Sequence, residues 1–392
     1  MKIAHIAPPW IAIPPKNYGG TEIVIYNLVE EQVAQGHDVT LFAPGDAKTS
    51  AKLVSFFPQS LIDSGVPWAA HLKAYYHLQK SLAHAGEFDI VHTHLSSSAD
   101  LYLFPLTASL TTPHVMTLHS RFPFDHLPDG WSGDADRYYV EEWGAKVPLV
   151  AISERAREEV PFKLNFVGVV HHGLPMNKFK PVPGERGDHF VWLGRVVPDK
   201  GVHLAIEAAK RAGVPLILAG TVDRHSEESI HYYQKVIEPL VDGKQIQYIG
   251  PVNMQQKIDL MSGARGFLNP IVWEEPFGMV MIEAMALGCP VIAFARGAAP
   301  EIIVHRKTGF LVHDVDEMVK FIACIDEIDR AATRKHVERN FSVRVMAEKY
   351  EKIYRKVIAM SGQPLNAVTH KRLIAGASNV TAIKTAATAP IP

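Results

Sequence analysis

Two carboxylates, Glu275 and Glu283, stand eight positions apart in the stretch WEEPFGMVMIEAMALG, which runs from Trp273 to Gly288. Pro276-Phe277-Gly278 lies between them. Proline is accommodated at the first position of a helix, where its missing N–H costs nothing, and glycine is a frequent helix stop. The pattern predicts a helix that opens at Pro276 and closes at Gly288, with Glu275 in the loop ahead of it and Glu283 about two turns in. The amides of Phe277, Gly278 and Met279 then fall in the first turn, where N–H groups lack intrahelical partners and attract anions or hydroxyl oxygens. Glu283 interrupts an apolar run, so its charge must find donors or its pKa must move. The adjacent hydroxyls of a ribose are such donors. Taken alone, the same two acids could equally complement a helix dipole or reach solvent at an edge.

Other residues carry chemistry at spacings worth weighing. In FVWLGRVVPDKGVHLAIEA, Arg195 and Lys200 flank a loop between a strand and a helix. Two cations there suit a diphosphate, arginine through its planar fork and lysine as a point charge, although two surface charges on a turn would read the same way. The loop APPWIAIPPKNYGGTE puts Gly19 and Gly20 at a helix start, where backbone can approach a ligand, but it is neither a Walker loop nor GxGxxG. His119 ends the apolar strand MTLHS, and Gly220 follows another strand in LILAGT. His92 and His94 share one face of a strand, but no third ligand follows at a sensible spacing, so no metal site is expected. Asp134-Ala135-Asp136 lies in a polar loop after Trp131 and reads as solvated, while the aromatic and acidic stretch from Phe122 to Trp143 suits acceptor contacts.

The strings E-P-F-G and E-A-M-A-x-G-x-P-V-I-A (Glu283 to Ala293), together with G-R-x-x-x-x-K-G (Gly194 to Gly201), carry a specific likeness. They resemble the E-x(7)-E segment and the phosphate-binding loop of retaining, nucleotide-sugar-dependent glycosyltransferases of family 4, group 1, which have the GT-B fold. The likeness spans about residues 1–360. It implies transfer of a hexose from a UDP- or GDP-linked sugar to an acceptor hydroxyl, with the anomeric configuration retained and with neither metal nor separate cofactor. Arg195 and Lys200 would then bind the donor pyrophosphate and stabilise the leaving group's charge in place of a cation. Glu275 and the amides of Phe277, Gly278 and Met279 would hold the sugar hydroxyls, and Glu283 the ribose. His119 would contact the sugar near the reacting carbon, with Gly19, Gly20 and Gly220 lining the donor. The resemblance also implies same-face attack guided by the leaving phosphate, and no residue of the sequence stands out as a covalent nucleophile on the opposite face. Two departures stand out. Gly297-Ala298-Ala299-Pro300-Glu301 replaces the second glycine of G-G-x-P-E, and His172-Gly173-Leu174-Pro175 stands where relatives often read Asn-Gly-x-Asp. The alternatives are a sugar-nucleotide epimerase of similar shape and a catalytically silent nucleotide-sugar-binding protein.

The elements that must position these residues alternate between β-branched runs and helical periodicity, which predicts an α/β architecture of two Rossmann-like, doubly wound domains facing across a cleft. Strands are expected at Lys2–Ala7, Asp38–Ala43, Phe88–His92, His114–His119, Pro148–Ile152 and Phe166–Val170. A second series is expected at His189–Leu193, Pro215–Ala219, Gln245–Ile249, Gly266–Asn269, Pro290–Phe294 and Gly309–Val312. The turn-rich segment Lys180–Asp188 separates domains at 1–183 and 188–341. A last helix runs from Ser342 to about Met360, and the resemblance implies that it returns to the first domain. The remainder, 361–392, reads as a loosely held tail. With 40 basic and 41 acidic residues the chain has no charge excess to attract nucleic acid. Its two cysteines fit a reducing compartment, and no apolar run approaches the ~20 residues that cross a bilayer. A cytoplasmic protein is expected. The segment Trp68–Leu82 carries only Lys73 and Lys80 as cations, which favours a soluble acceptor over a membrane-bound one.

Overall fold

The computed structural model describes residues 1–16, 19–97, 100–120, 142–160, 163–184, 186–224 and 226–362. The Asp134-Ala135-Asp136 stretch, nearly all of the aromatic loop before Trp143 and the tail beyond 362 lie outside the described residues. Two all-parallel sheets form the frame. The first has strands β1 (Lys2–Ile6), β2 (Asp38–Phe42), β3 (Lys52–Val54), β4 (Ile90–Leu95), β5 (His114–Leu118), β6 (Leu149–Ala151) and β7 (Phe166–Val169), in the order β3-β2-β1-β4-β5-β6-β7. The second has β8 (Phe190–Arg195), β9 (Leu216–Thr221), β10 (Ile246–Gly250), β11 (Gly266–Asn269), β12 (Val291–Phe294) and β13 (Gly309–Val312), in the order β10-β9-β8-β11-β12-β13. Both are doubly wound α/β sheets. The strand order reverses between β1 and β4 and again between β8 and β11, and crevices for ligands open beyond the carboxyl ends at such points.

Two strand expectations need correction. Edge strand β3 is only three residues long, too short for an alternation to register. Strand β4 runs on to Leu95 instead of stopping at His92, because His92 and His94 are buried among polar partners and are not a solvated strand end.

Each sheet is covered on both faces, as buried parallel strands require. One face of the first sheet packs Leu78 and Leu82 of the helix His71–Leu82 against Met116 and Leu118. The other packs Ile3, Ile90 and Val115 against Val24 and Leu28 of the helix Gly20–Ala34 and against the last helix, Val343–Met360. That last helix buries Met346, Ala347, Tyr350, Ile353, Tyr354, Val357 and Ile358, a stripe at helical spacing, on the sheet that opens the chain. Ser342 caps it by accepting from the Val345 amide. The hinge residue Leu174 pairs with its start, donating to Phe341 O at 2.8 Å and accepting from the Val343 amide at 3.0 Å. Among the described residues, no helix is long and apolar enough to cross a membrane.

Candidate active site

The second sheet supplies most of the charge. Arg195 is the last residue of β8; its side chain is exposed and has no hydrogen-bond or ion-pair partner among the described residues. Five residues on, the short turn Pro198–Lys200 aims Lys200 at the loop after β11. There its ammonium forms a close ion pair with Glu275 and lies 5.0 Å from the centre of the Trp273 ring. Trp273 Nε1 donates to the same Glu275 oxygen at 3.1 Å. Arg195, Lys200 and Glu275 thus stand at the ends of neighbouring strands β8 and β11, where the strand order turns over.

The loop that carries Glu275 is held from below by the segment after β12. The Ala298 amide donates to Glu275 O at 2.9 Å, and the Gly297 amide to Glu274 Oε2 at 2.8 Å. Gly297 has φ +53, and a Cβ there would fall 2.3 Å from Glu275 O. Glycine is therefore required at 297 and not at 298, where Ala298 adopts an ordinary φ of −80. The missing second glycine leaves this backbone intact.

The helix begins later than the sequence pattern suggests. It spans Met279–Ala286, with Gly278 as its N-cap in the left-handed region (φ 86), so Pro276 and Phe277 precede it. Proline at 276 fits a helix start, but the glycine that can take a left-handed cap wins the position. Met279 is the first helical residue and opens the turn whose amides lack intrahelical partners. The Phe277 amide therefore lies ahead of the helix's first turn, and its buried ring lies 5.0 Å from His172 and 5.8 Å from His171. Glu283, in the second turn, is paired with Lys257 of the helix Met254–Gly263 at 2.6 Å, with each side chain about one-seventh exposed. Lys257 escaped the sequence reading: nothing local marks it, and the partner that Glu283 needed lies 26 residues upstream. Gly220, at the end of β9, has φ +156, and a Cβ there would sit 1.9 Å from Gly194 O, beside Arg195. Only glycine lets these two strand ends come so close.

The first sheet contributes His119, just past β5 and buried. Burial pushes its pKa down to about 3, so it is a neutral imidazole. Its ring stacks on His172 at 5.3 Å, and His172 in turn meets Phe277, so the hinge histidine links the two halves of the site. His172 went unmarked in sequence because it was read as a departure and not as a contact. Gly19 and Gly20 lie beyond β1, and the helix Gly20–Ala34 starts at Gly20. Gly19 is tightly enclosed, whereas Gly20 has open space where a Cβ would sit. The lobes also meet through Glu301, which accepts from the Glu154 and Arg155 amides at 2.9 Å each and from His171 Nε2 at 2.7 Å. These contacts, with its burial opposing them, hold Glu301 below the usual carboxylate range. Ligand atoms of His5, His92 and His94 lie within 4.8 Å of one another; His5, from β1, is the third imidazole that sequence spacing did not supply.

This arrangement can hold an anionic, polyhydroxylated ligand: free and paired cations at the strand ends, a helix start, paired acids and a neutral imidazole. Residues 18–177 match the family described as Glycosyltransferase Family 4, and residues 176–337 match Glycosyl transferases group 1. An alpha-maltose-1-phosphate synthase of Mycolicibacterium smegmatis is 28% identical over 88% of this chain and 97% of its own length. A sucrose-phosphate synthase of Thermosynechococcus elongatus superposes with a TM-score of 0.72 at 17% identity, over 92% of this chain and all of that one. HepE of Anabaena, crystallised with UDP, gives a TM-score of 0.67 at 20% identity, over 91% of this chain and all of that one.

Proposed function

This chain is a glycosyltransferase of group 1, family 4, with the GT-B fold, and on that premise we propose that it moves a hexose from a nucleotide diphosphate sugar to an acceptor hydroxyl with retention of configuration and without a metal. The observation that carries this reading is the Lys200–Glu275 ion pair at the β8/β11 crevice. A cation for the diphosphate and an acid for the sugar hydroxyls meet at one point. Arg195 and Lys200 take the diphosphate, and their fixed charge stabilises the developing nucleoside diphosphate where a metal would otherwise be needed. Glu275 and the start of the helix Met279–Ala286 take sugar hydroxyls. Glu283 exchanges Lys257 for the ribose, and His119 faces the sugar. On the same-face route that the family resemblance implies, the leaving phosphate itself receives the acceptor's proton. HepE, of similar fold, has been crystallised with UDP, which makes a uridine nucleotide the first donor class to try.

The test is direct. Calorimetry with UDP and GDP should find micromolar-range binding of one of them in the presence of a chelator. Arg195→Ala and Lys200→Ala should cut cleavage of the matching donor by about 100-fold or more, the usual loss for one leaving-group donor, with the melting temperature kept. Near-normal cleavage in both variants would refute their role, and activity abolished by chelation would refute metal independence.

A further inference from the structure

We infer that His119 is held as an obligate hydrogen-bond acceptor, Nε2 protonated and Nδ1 bare, by a directed chain of buried imidazoles that starts at Gln32. Gln32, on the helix Gly20–Ala34, is 1% exposed, and its carbonyl oxygen lies 2.7 Å from His5 Nε2. A carbonyl accepts only, so His5 carries its proton on Nε2 and its Nδ1 is bare. That bare nitrogen is 3.0 Å from His94 Nε2, which must donate to it. His94 Nδ1 is then bare and lies 2.9 Å from His119 Nε2, which must donate in turn. The chain ends at His119 Nδ1, which is buried and has no hydrogen-bond partner among the described residues.

Two further observations fix the direction. Reversing every bond would place an N–H at the empty end, and an orphaned buried N–H is rarer than an under-satisfied acceptor. The other end is anchored as well. The Gln32 amide nitrogen faces Tyr354 OH at 3.4 Å, and that hydroxyl lies 2.6 Å from His92 Nδ1. His92 Nε2 lies 2.7 Å from Thr117 Oγ1, which reaches Tyr350 OH at 2.9 Å. If Tyr354 donates to His92, then His92 donates to Thr117 and Thr117 to Tyr350, so Gln32, Tyr354, His92 and Thr117 each donate once and accept once. Every nitrogen of His5, His92 and His94 is thus in a hydrogen bond, so a cation could enter only by breaking several of them. Register explains how the cluster forms: His5 pairs with His92, and His94 with Thr117, on the sheet face that the last helix covers.

The inference deepens the proposed function, since the end of the chain matters to a donor sugar only if His119 faces it. If donor binding opens His119 Nδ1 to the sugar, that bare nitrogen can only accept, from a sugar hydroxyl. Gln32 is a positioning residue that acts through His5 and His94.

The test uses the full-length protein labelled with [15N]histidine, in long-range 15N–1H correlation spectra at pH 7.5 without ligand. The His119 signal is assigned by its loss in His119→Asn. The wild type should give the neutral Nε2–H tautomer at His119. Gln32→Leu, which removes the anchoring carbonyl, should turn that signal into a tautomer mixture, and Gln32→Glu, whose carboxylate still accepts from His5, should restore it. His119 as Nδ1–H in the wild type, an unchanged tautomer in folded Gln32→Leu, or one equivalent of zinc per purified chain would each overturn the inference. Should Gln32→Leu fail to fold, the wild-type spectrum still decides. These spectra need no donor, so the tautomer stands or falls separately from the cleft reading, which loss or retention of donor cleavage in His119→Ala tests.

Discussion

Glu22 gives a prediction with a computable size. It sits in the first turn of the helix Gly20–Ala34, where the helix dipole favours a carboxylate by up to about 1 kcal/mol. Burial opposes this and wins. Glu22 is 4% exposed, and desolvation, helped by the nearby Asp100 charge and opposed by a backbone hydrogen bond, raises its pKa to about 7. The folded chain therefore holds a proton that the unfolded chain releases near 4.5. Stability from this group is fully present below pH 4.5 and is lost as the pH rises through about 7. At about 1.4 kcal/mol per pH unit, the loss is about 3 kcal/mol by pH 8. Glu22→Gln keeps a carbonyl oxygen in place and removes the ionisation. In urea denaturation it should match the wild type near pH 4.5 and exceed it by about 3 kcal/mol at pH 8. A difference that stays flat between those pH values would show that the carboxylate is solvated or paired and would refute the desolvation argument. The same geometry explains Gly19: its φ of 175 suits any residue, but a Cβ would meet Glu22 Oε2 at 2.8 Å and Pro15 Cβ at 2.7 Å.

The buried histidines of the first lobe work in the opposite direction. Burial lowers His5 and His77 to about 4 and His119 to about 3, so their stability is present above the unfolded value of 6.5 and drains away as the pH falls towards 4. Moving from pH 7.5 to 5.5 should cost roughly 1 kcal/mol for each, and urea midpoints in Glu22→Gln, freed of its opposing proton, should fall accordingly; an unchanged midpoint rejects the neutral cluster. For the Lys257–Glu283 pair, a double-mutant cycle of Lys257→Met and Glu283→Gln should give a coupling of about 1–3 kcal/mol, and a coupling near zero would mean that the pair is solvent-screened. Gly297→Ala should lose at least the 1–2 kcal/mol of a left-handed residue, roughly, and should disturb donor binding through the Glu275 loop, whereas Ala298→Gly should change stability by less than about 1 kcal/mol; equal effects would contradict the backbone assignment.

Local rules carried the sequence reading where the physics is local. The period of apolar residues placed twelve of the strands, and the E-P-F-G and G-R-x-x-x-x-K-G strings placed Glu275 and Lys200 in the loops where they meet. The rest depends on contacts far apart in the chain. Lys257 pairs with Glu283 only because the helix Met254–Gly263 packs beside the helix Met279–Ala286. His5 joins His92 and His94 only through β1–β4 register, and Tyr350 and Tyr354 arrive from the end of the chain. The helix start moved from Pro276 to Met279 for a different reason: proline tolerance and glycine capping compete two residues apart, and the left-handed cap at Gly278 takes the position.

The resting charges of the cleft suggest how a donor enters on the proposed reading. Lys200 is neutralised by Glu275 and Lys257 by Glu283, while Arg195 stands exposed at a strand end without an ion-pair partner among the described residues. A diphosphate arriving at the crevice meets Arg195 first and then competes with Glu275 for Lys200. Releasing Glu275 alone would leave a carboxylate in a mostly desolvated loop, beside the Trp273 N–H. The exchange is favourable only if something with hydroxyl donors occupies Glu275 as the phosphate takes Lys200, and a nucleotide sugar brings both groups on one molecule. On the same reading Glu283 would give up the Lys257 ammonium and receive a ribose diol. Free phosphate should therefore bind far more weakly than its charge implies, and affinity should rise steeply from phosphate to nucleoside diphosphate to nucleotide sugar, because each added piece satisfies an acid that the previous piece left unpaired.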